Sequence, residues 1–373
     1  MLRGILLIST LTIFTCAGCE KASPPPAPAP PERKSADTRP AAVLLPVVQD
    51  GLWGYIDADA ETVIPPQYQR AERFAEGLAA VQSKGLWGFV DEAGTMVIPP
   101  QFDDVDRGGF AGGRISVMLD GRWGLIDATG RTVLPPTFDA PPRFRENLAV
   151  VRRGNLFGYI DANGQTVIKP QYTFAEPFSE GLAAVMTRGR WIGRRARGGL
   201  WGYVDKTGHV KITPQYRAAG PFSEGLAWVR FPLPPGRRAD ENRPAVGGYI
   251  DAQGRPVIRT KDLLAGGEFH EGRAAVRLRY TGLWGYIDNT GRVVIGADFD
   301  QANDFHEGLA AVQSFGDNGA GVKWGYVDPA GEFVIPPRFD QAGDFHAGAA
   351  AVWIGNKLGY IDREGRFLWP PVE

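Results

Sequence analysis

Nine aspartates are the residues whose type and spacing could most readily do chemistry. Each ends a hexapeptide similar to the Leu-Trp-Gly-Tyr-Ile-Asp of residues 52–57, and together they could supply carboxylates for acid–base catalysis or for calcium. In eight of the nine copies, however, glycine stands three residues after the aspartate, as in a type I turn. We therefore predict that they anchor hairpin turns: Asp57, Asp91, Asp127, Asp161, Asp205, Asp251, Asp288, Asp328 and Asp362.

Three of the four histidines share one position in this repeated sequence. His270, His306 and His346 each follow the first residue of a Phe-x-Glu-Gly-like pattern, and Asp304 and Asp344 stand two residues before the last two of them. A transition metal needs at least three ligands within about 2.0–2.2 Å. Repeats that stack at about 4.8–10 Å do not easily converge on one ion. We predict surface-loop histidines, no metal site and no cofactor.

Arginines are concentrated in two insertions. Successive aspartates are 44 and 46 residues apart at these points, against 34–40 elsewhere, and the insertions occupy 187–199 and 230–247. Insertions at one repeat position project from one face, and guanidinium groups suit phosphate or carboxylate. They predict a surface for an anionic partner, with two solvated loops as the alternative. The candidate binding residues are Arg188, Arg190, Trp191, Arg194, Arg195, Arg197, Arg237, Arg238 and Arg243.

Composition and motifs give no support to several function classes. The chain carries a net charge of −1, which argues against a nucleic-acid binder. It contains no His-Glu-x-x-His, no phosphate-binding Gly-Lys-Ser/Thr loop and no Gly-x-Ser-x-Gly elbow. Its two cysteines, Cys16 and Cys19, both lie near the start, so the rest of the chain has no thiol nucleophile. We predict that the protein is not an enzyme.

The elements that position these residues are short strands. In one unit, 78–83 and 86–91 read as strands joined by a two-residue turn, 95–98 as a third strand, and Pro99-Pro100 as its end. The polar segment that follows reads as a return loop. Nine such three-stranded antiparallel meanders, each too small to bury its aromatic face alone, must stack on one another.

The unit resembles the WG-repeat (KWG-repeat) family over residues 43–373. The resemblance rests on the Trp-Gly pairs, whose tryptophans we expect to pack against the neighbouring unit: Trp53, Trp87, Trp123, Trp201, Trp284 and Trp324. Phe157, Gly247 and Leu358 replace tryptophan in the other units, and Gly247 should leave a gap. The resemblance implies an all-β array with a binding role. Because every unit is complete in sequence order, we favour an open superhelical array, with a closed propeller-like ring as the alternative.

The first residues resemble a bacterial lipoprotein signal. Arg3 precedes an apolar run, and Ala17 and Gly18 stand directly before Cys19. The resemblance implies a signal peptide over 1–18, lipidation of Cys19 and anchoring in the bacterial cell envelope, with the outer membrane favoured. Residues 19–42 are rich in proline and read as an extended tether.

Taken together, the sequence predicts a non-enzymatic, lipid-anchored repeat scaffold that binds a protein or an anionic envelope polymer. Lipid headgroups, lipopolysaccharide, peptidoglycan or an acidic protein would each fit, and the oligomeric state is left open. The alternative is a carbohydrate-binding module that uses exposed aromatics, namely Trp191, Trp228 and Trp353. A third hypothesis, a glycosidase on a propeller, needs two carboxylates about 5–10 Å apart in a cleft.

Overall fold

The chain folds into a ring of small antiparallel sheets, which we call blades. The computed structural model describes residues 44–192, 195–232, 246–260, 262–315 and 321–371. The predicted signal peptide, Cys19 and tether lie outside these ranges, as do Arg194, Arg237, Arg238 and Arg243. Within the described ranges there are nine blades, and no helix there is long and apolar enough to cross a bilayer.

The first four blades contain strands β1 to β15. Blade 1 consists of β1 (Leu45–Gln49), β2 (Leu52–Ile56) and β3 (Thr62–Tyr68). Blade 2 consists of β4 (Arg70–Ala71), β5 (Leu78–Ser83), β6 (Leu86–Asp91) and β7 (Met96–Phe102). Blade 3 consists of β8 (Asp104–Val105), β9 (Arg114–Leu119), β10 (Arg122–Asp127) and β11 (Thr132–Phe138). Blade 4 consists of β12 (Phe144–Arg145), β13 (Leu148–Arg153), β14 (Leu156–Asp161) and β15 (Thr166–Tyr172).

Blades 5 and 6 carry the insertions. Blade 5 consists of β16 (Phe174–Ala175), β17 (Leu182–Thr187), β20 (Leu200–Asp205) and β21 (Val210–Tyr216). Between β17 and β20 stands a separate hairpin of β18 (Arg190–Ile192) and β19 (Arg195–Arg197). Blade 6 consists of β22 (Ala218–Ser223), β23 (Leu226–Arg230), β24 (Gly247–Ile250) and β25 (Pro256–Thr260).

The last three blades contain strands β26 to β37. Blade 7 consists of β26 (Leu263–His270), β27 (Arg273–Leu278), β28 (Trp284–Asp288) and β29 (Val293–Phe299). Blade 8 consists of β30 (Gln301–Ala302), β31 (Ala310–Phe315), β32 (Val322–Val327) and β33 (Phe333–Phe339). Blade 9 consists of β34 (Gln341–Ala342), β35 (Ala350–Ile354), β36 (Lys357–Ile361) and β37 (Phe367–Trp369).

Each blade is a meander, as predicted, but eight of the nine have four strands instead of three. The additional first strand lies in the polar segment that reads as a return loop, for example β4 in blade 2. The prediction that Pro99-Pro100 ends the outer strand is also wrong, because β7 continues to Phe102. Since β7 is an edge strand, the missing proline N–H costs it no partner on the open side.

The glycine of the Trp-Gly pair allows this outer strand to approach. A Cβ at Gly88 would lie 2.6 Å from the Ile98 carbonyl oxygen and 2.7 Å from the Pro100 nitrogen. The pairing of β6 with β7 shifts register at this point, between Trp87 and Phe89. The same approach recurs at Gly54, Gly124, Gly158, Gly202, Gly285 and Gly325.

The aspartates stabilise the turn between the third and fourth strands. Asp91 Oδ1 accepts the N–H groups of Ala93 at 3.0 Å and Thr95 at 2.7 Å, and the Gly94 N–H donates to the Asp91 carbonyl at 2.9 Å. Gly94 has φ +79°, which explains the glycine. All nine aspartates accept two backbone N–H groups in this way.

Consecutive connections of an antiparallel blade alternate between two faces of the ring. One face, the Asp-turn face, carries the aspartate turns and the Phe-x-Glu-Gly turns. Lys206, in the turn that follows Asp205 of blade 5, contacts Glu146, in the Phe-x-Glu-Gly-like turn of blade 4, at 3.0 Å. The other, the insertion face, carries both insertions, which leave blades 5 and 6 between their second and third strands. Both insertions therefore begin and end on one face, as their repeat position predicts.

Tyrosine, more than tryptophan, joins neighbouring blades. Tyr286 of blade 7 is fully buried, packs on Phe305 of blade 8 at a centroid distance of 4.9 Å and donates its hydroxyl to the Asn303 carbonyl at 2.7 Å. Among the Trp-Gly tryptophans, Trp87 is fully buried and the other five are half-buried. Tryptophan stands near the end of its strand at the insertion face, so part of its ring reaches the surface.

The ring is closed. The Tyr360 hydroxyl of blade 9 donates to the Pro46 carbonyl of blade 1 at 3.0 Å, and Leu45 and Val47 share a buried cluster with Ala351 and Leu358. The favoured open array is therefore wrong, and the alternative, a propeller-like ring, is confirmed. Among the described residues closure exchanges no strand, because blade 1 and blade 9 each consist of consecutive strands and meet through side chains. For that reason the order of strands in the sequence does not reveal it.

Candidate functional site

Glutamates of the Phe-x-Glu-Gly turns link successive blades on the Asp-turn face. The Glu76 carboxylate of blade 2 accepts the N–H groups of Gly112 at 2.8 Å and Gly113 at 2.7 Å in blade 3. Similar bonds start from Glu146, Glu180, Glu224, Glu271 and Glu307. Each of these six glutamates has φ of 51–53°, a conformation that non-glycine residues rarely adopt. The sequence pattern contains them, but their role needs the neighbouring blade.

The residues on either side of the turn phenylalanine face the centre of the ring. Phenylalanine enters the core, so its two neighbours point the opposite way. In blades 4 to 7 these neighbours line one cavity of about 580 Å³, together with Glu176: Arg145, Pro177, Ser179, Pro221, Ser223, Glu268 and His270. Four successive blades can share one cavity only where they converge, near the axis. We call it the central cavity.

Charges around the axis are segregated by blade. Blades 2 to 4 contribute Arg73, Arg107, Arg143 and Arg145, whereas blades 7 to 9 contribute Glu268, Asp304 and Asp344 with the three histidines. Arg107 pairs with Glu72 at 2.6 Å, and Arg143 pairs with Asp106 at 3.0 Å. In blades 5 and 6 the two residues that flank the turn phenylalanine are proline and serine. The arginines at the centre of the ring thus come from blades 2 to 4, where two of them are paired with carboxylates, and the histidines come from blades 7 to 9.

Two of the predicted loop histidines stack between blades 7 and 8. The rings of His270 and His306 have centroids 5.2 Å apart, and their Nε2 atoms lie 3.7 Å from Asp304 and 3.8 Å from Asp344. Their side chains are 34% and 39% exposed, so they are half-buried turn residues. Within the described ranges, no group of three or more His, Cys, Asp or Glu side chains is arranged to hold a metal ion.

Burial perturbs two carboxylates of the site. It raises the pKa of Glu176, and the charge of Glu268, two blades further round, adds to this. Burial also raises the pKa of Asp304, an effect that His270 opposes and Glu268 reinforces. The pKa of Glu146 moves the other way: burial alone would raise it, but hydrogen bonds from Lys206 and Gly181 lower it overall.

Glu176→Gln should therefore stabilise the protein at neutral pH. A carboxyl whose pKa is raised on folding contributes stability below its unfolded pKa of about 4.3, and that contribution is lost as pH rises through the folded pKa. Glutamine has no proton to lose, so the variant should unfold at higher denaturant than wild type at pH 7.5, with the difference shrinking towards pH 4.

Glu146→Gln provides the control of opposite sign. Its lowered pKa stabilises the fold above the unfolded pKa and ceases to do so as pH falls through the folded value. This variant should be less stable than wild type at pH 7.5 and approach it in acid. Urea denaturation of both variants at pH 4 and 7.5 tests the pair, and equal shifts of the same sign would contradict our assignment.

The comparisons with known proteins identify the repeat. The family model described as "WG containing repeat" matches residues 53–87, 87–123, 123–157, 157–191, 201–231, 284–316 and 324–357. These matches span more than half of the chain. The protein belongs to the WG-repeat family. No separate match starts at Gly247 or Leu358, the two WG positions that carry neither tryptophan nor phenylalanine.

Solved structures that resemble this WG-repeat protein share little sequence with it, and no curated protein matches it. The β-propeller domain of the Trilobed protease from Pyrococcus furiosus is 12% identical, with a TM-score of 0.39, covering 89% of this chain and 99% of that one. Kluyveromyces lactis Hsv2p is 9% identical, with a TM-score of 0.36 and coverages of 77% and 89%. Dipeptidyl peptidase 4 from Porphyromonas gingivalis is 9% identical, with a TM-score of 0.42 and coverages of 88% and 59%.

The insertion of blade 5 brings several predicted binding residues together. In its hairpin, Arg190 is paired with Arg197, Ile192 with Arg195, and Trp191 with Ala196. This register brings the backbones of Arg190, Arg195 and Arg197 together in one short hairpin. Arg188 precedes the hairpin and is exposed.

Two of the three aromatics proposed for sugar stacking, Trp228 and Trp353, are half-buried. Trp228 is half-buried, and its Nε1 is buried without a hydrogen-bond partner among the described residues. Its ring also lies 3.5 Å from where a Cβ of Gly247 would be, so the gap expected at Gly247 is filled. Trp353 is half-buried in the cluster that closes the ring. The backbone of Trp191 lies in the hairpin, as described above.

Proposed function

We propose that this WG-repeat protein is a non-enzymatic binding scaffold, lipid-anchored in the bacterial cell envelope, with the outer membrane favoured. Its partner would be a protein or an anionic envelope polymer, held on the insertion face. The observation that carries the proposal is the separate hairpin of blade 5, in which Arg190 is paired with Arg197 and Ile192 with Arg195.

Like charges directly opposite each other weaken a strand pair. The Arg190–Arg197 pair is therefore a cost to an isolated two-stranded hairpin, which is only marginally stable in water. A partner rich in phosphate or carboxylate would relieve this repulsion, and arginine can bind such groups through two parallel hydrogen bonds. Arg188 beside the hairpin, and the arginines of the second insertion, would extend the same basic surface.

Two further points support the scaffold and its anchor. The nine repeated aspartates are already engaged in turns, and no cysteine follows Cys19, so neither these carboxylates nor a thiol nucleophile supports a catalytic role. The Ala17-Gly18-Cys19 sequence after an apolar run supports lipidation. Metabolic labelling with palmitate tests the anchor: label should be lost in Cys19→Ser, and label that persists would refute it.

Charge reversal of Arg190, Arg195 and Arg197 to Glu should weaken binding to anionic surfaces. The Cys19→Ser protein separates this effect from the anchor, and sedimentation with phosphatidylglycerol vesicles or lipopolysaccharide measures it. We expect affinity to fall at least about tenfold, equivalent to about 1.4 kcal/mol, and to weaken with salt.

The matched control reverses three arginines of the Asp-turn face: Arg131, Arg255 and Arg292. This control should bind as wild type does. Binding that survives reversal of the hairpin arginines would refute the proposal. If only the hairpin reversal weakens binding, in-cell crosslinking of both variants identifies the partner class, a protein or a polymer.

A further inference from the structure

The central cavity contains charges of both signs that do not neutralise each other. Arg145 of blade 4 lines one wall, and among the described residues no carboxylate lies within 4.0 Å of its guanidinium. Glu176 of blade 5 and Glu268 of blade 7 line the same cavity. The Glu176 carboxylate has neither a hydrogen bond nor an ion pair with any described side chain.

A comparison within the ring shows what Glu176 lacks. Glu72 occupies the same repeat position in blade 2, and Arg107 of blade 3 pairs with it at 2.6 Å. The residue that corresponds to Arg107 in blade 6 is Ala219, which lines the central cavity. Among the described residues a cation therefore stands beside Glu72, whereas none lies within ion-pair distance of Glu176, where the cavity takes its place.

His270 also lines the cavity, with its Nε2 3.9 Å from Glu268 and 3.7 Å from Asp304, and the two serines of the lining are already engaged. Ser179 donates its hydroxyl to the Phe222 carbonyl at 2.7 Å, and Ser223 donates to the Phe269 carbonyl at 2.6 Å. These bonds fix blade 5 on blade 6 and blade 6 on blade 7, so the cavity is preformed. Its volume of about 580 Å³ is in the range of small-molecule sites.

We propose that the central cavity binds a small zwitterion, an α-amino acid or a short peptide with free ends. The ligand ammonium lies between Glu176 and Glu268 and replaces the missing arginine. The ligand carboxylate meets the Arg145 guanidinium. This site is near the axis, away from the insertion hairpin, and it does not depend on the anionic partner proposed above.

Calorimetric titration of the full chain with alanine, Ala-Ala and Ala-Ala-Ala tests this proposal. We expect at least one of these to bind, and both N-acetyl-Ala-Ala and Ala-Ala-amide to bind at least about tenfold more weakly than Ala-Ala, because each lacks one charge. Equal affinity for the capped and free dipeptides, or no binding of any probe at about 10 mM, would overturn the proposal.

Variants locate the site independently of the ligand series. Glu176→Gln and Arg145→Gln should each weaken binding about tenfold or more, whereas Glu72→Gln, the equivalent carboxylate outside the cavity, should leave it unchanged. Reversal of the hairpin arginines should also leave it unchanged, so failure here is distinguishable from failure of the scaffold proposal. Wild-type affinity in Glu176→Gln would refute our placement of the ammonium.

Discussion

Replacing Tyr286 with alanine should lower the free energy of unfolding by about 3–5 kcal/mol, the range for deleting a large buried aromatic side chain. Tyr286 is fully buried between blades 7 and 8, where its ring packs on Phe305 and its hydroxyl bonds the Asn303 carbonyl. Alanine removes the ring and leaves a cavity at the junction. Urea denaturation monitored by tryptophan fluorescence measures the loss.

Tyr286→Phe is the matched control, because it keeps the ring and removes only the hydroxyl. Blade 2 already has Phe89 at this position, packed on Phe110 with centroids 5.2 Å apart. We expect a loss of about 1 kcal/mol, the net value of one hydrogen bond. If alanine cost no more than phenylalanine, the aromatic pair would not be what joins the blades.

Gly202→Ala should be the second strongly destabilising change. A Cβ at Gly202 would lie 2.4 Å from the Ile212 carbonyl oxygen and 2.6 Å from the Pro214 nitrogen. Both are backbone atoms, so the side chains cannot simply turn aside. Forcing β21 away from β20 should cost about 1–3 kcal/mol or more, measured by the same denaturation.

Gly220→Ala tests whether added bulk alone is responsible. The nearest atom to a Cβ at Gly220 is the Trp228 carbonyl oxygen at 3.7 Å, an ordinary contact. This variant should unfold within about 1 kcal/mol of wild type, since alanine also reduces the freedom of the unfolded chain. Equal losses in the two variants would show that close backbone approach is not the reason for the Trp-Gly pair.

Much of each blade can be predicted from sequence because its causes are local. The Asp91 turn follows from an aspartate with a glycine three residues later, and the meander follows from short apolar strands between such turns. The two insertions could be placed because their repeat position sets the face they leave. These features depend on residues within one unit.

Contacts between blades could not be predicted in the same way. The first strand of a blade, such as Arg70–Ala71, has too few residues for a periodic pattern and forms only beside its partner. Glu76 carries no signal of its role until Gly112 lies opposite it. Likewise the central cavity joins Arg145 to Glu268, more than 100 residues later, through the curvature of the ring. That curvature is a sum of small rotations that no single unit encodes.

Intramolecular crosslinking of blade 1 to blade 9 tests the closed ring most directly. Ala58 and Ala347 line one small cavity at the closure, and both are exposed. With Cys16 and Cys19 changed to Ser, an Ala58→Cys/Ala347→Cys protein should be circularised by a short bismaleimide at dilute concentration. A control pair, Ala58→Cys with Thr207→Cys of blade 5, should not react across the ring. Efficient circularisation of the first pair alone is the result we predict, and failure of that pair in the folded monomer would contradict the closed nine-bladed ring.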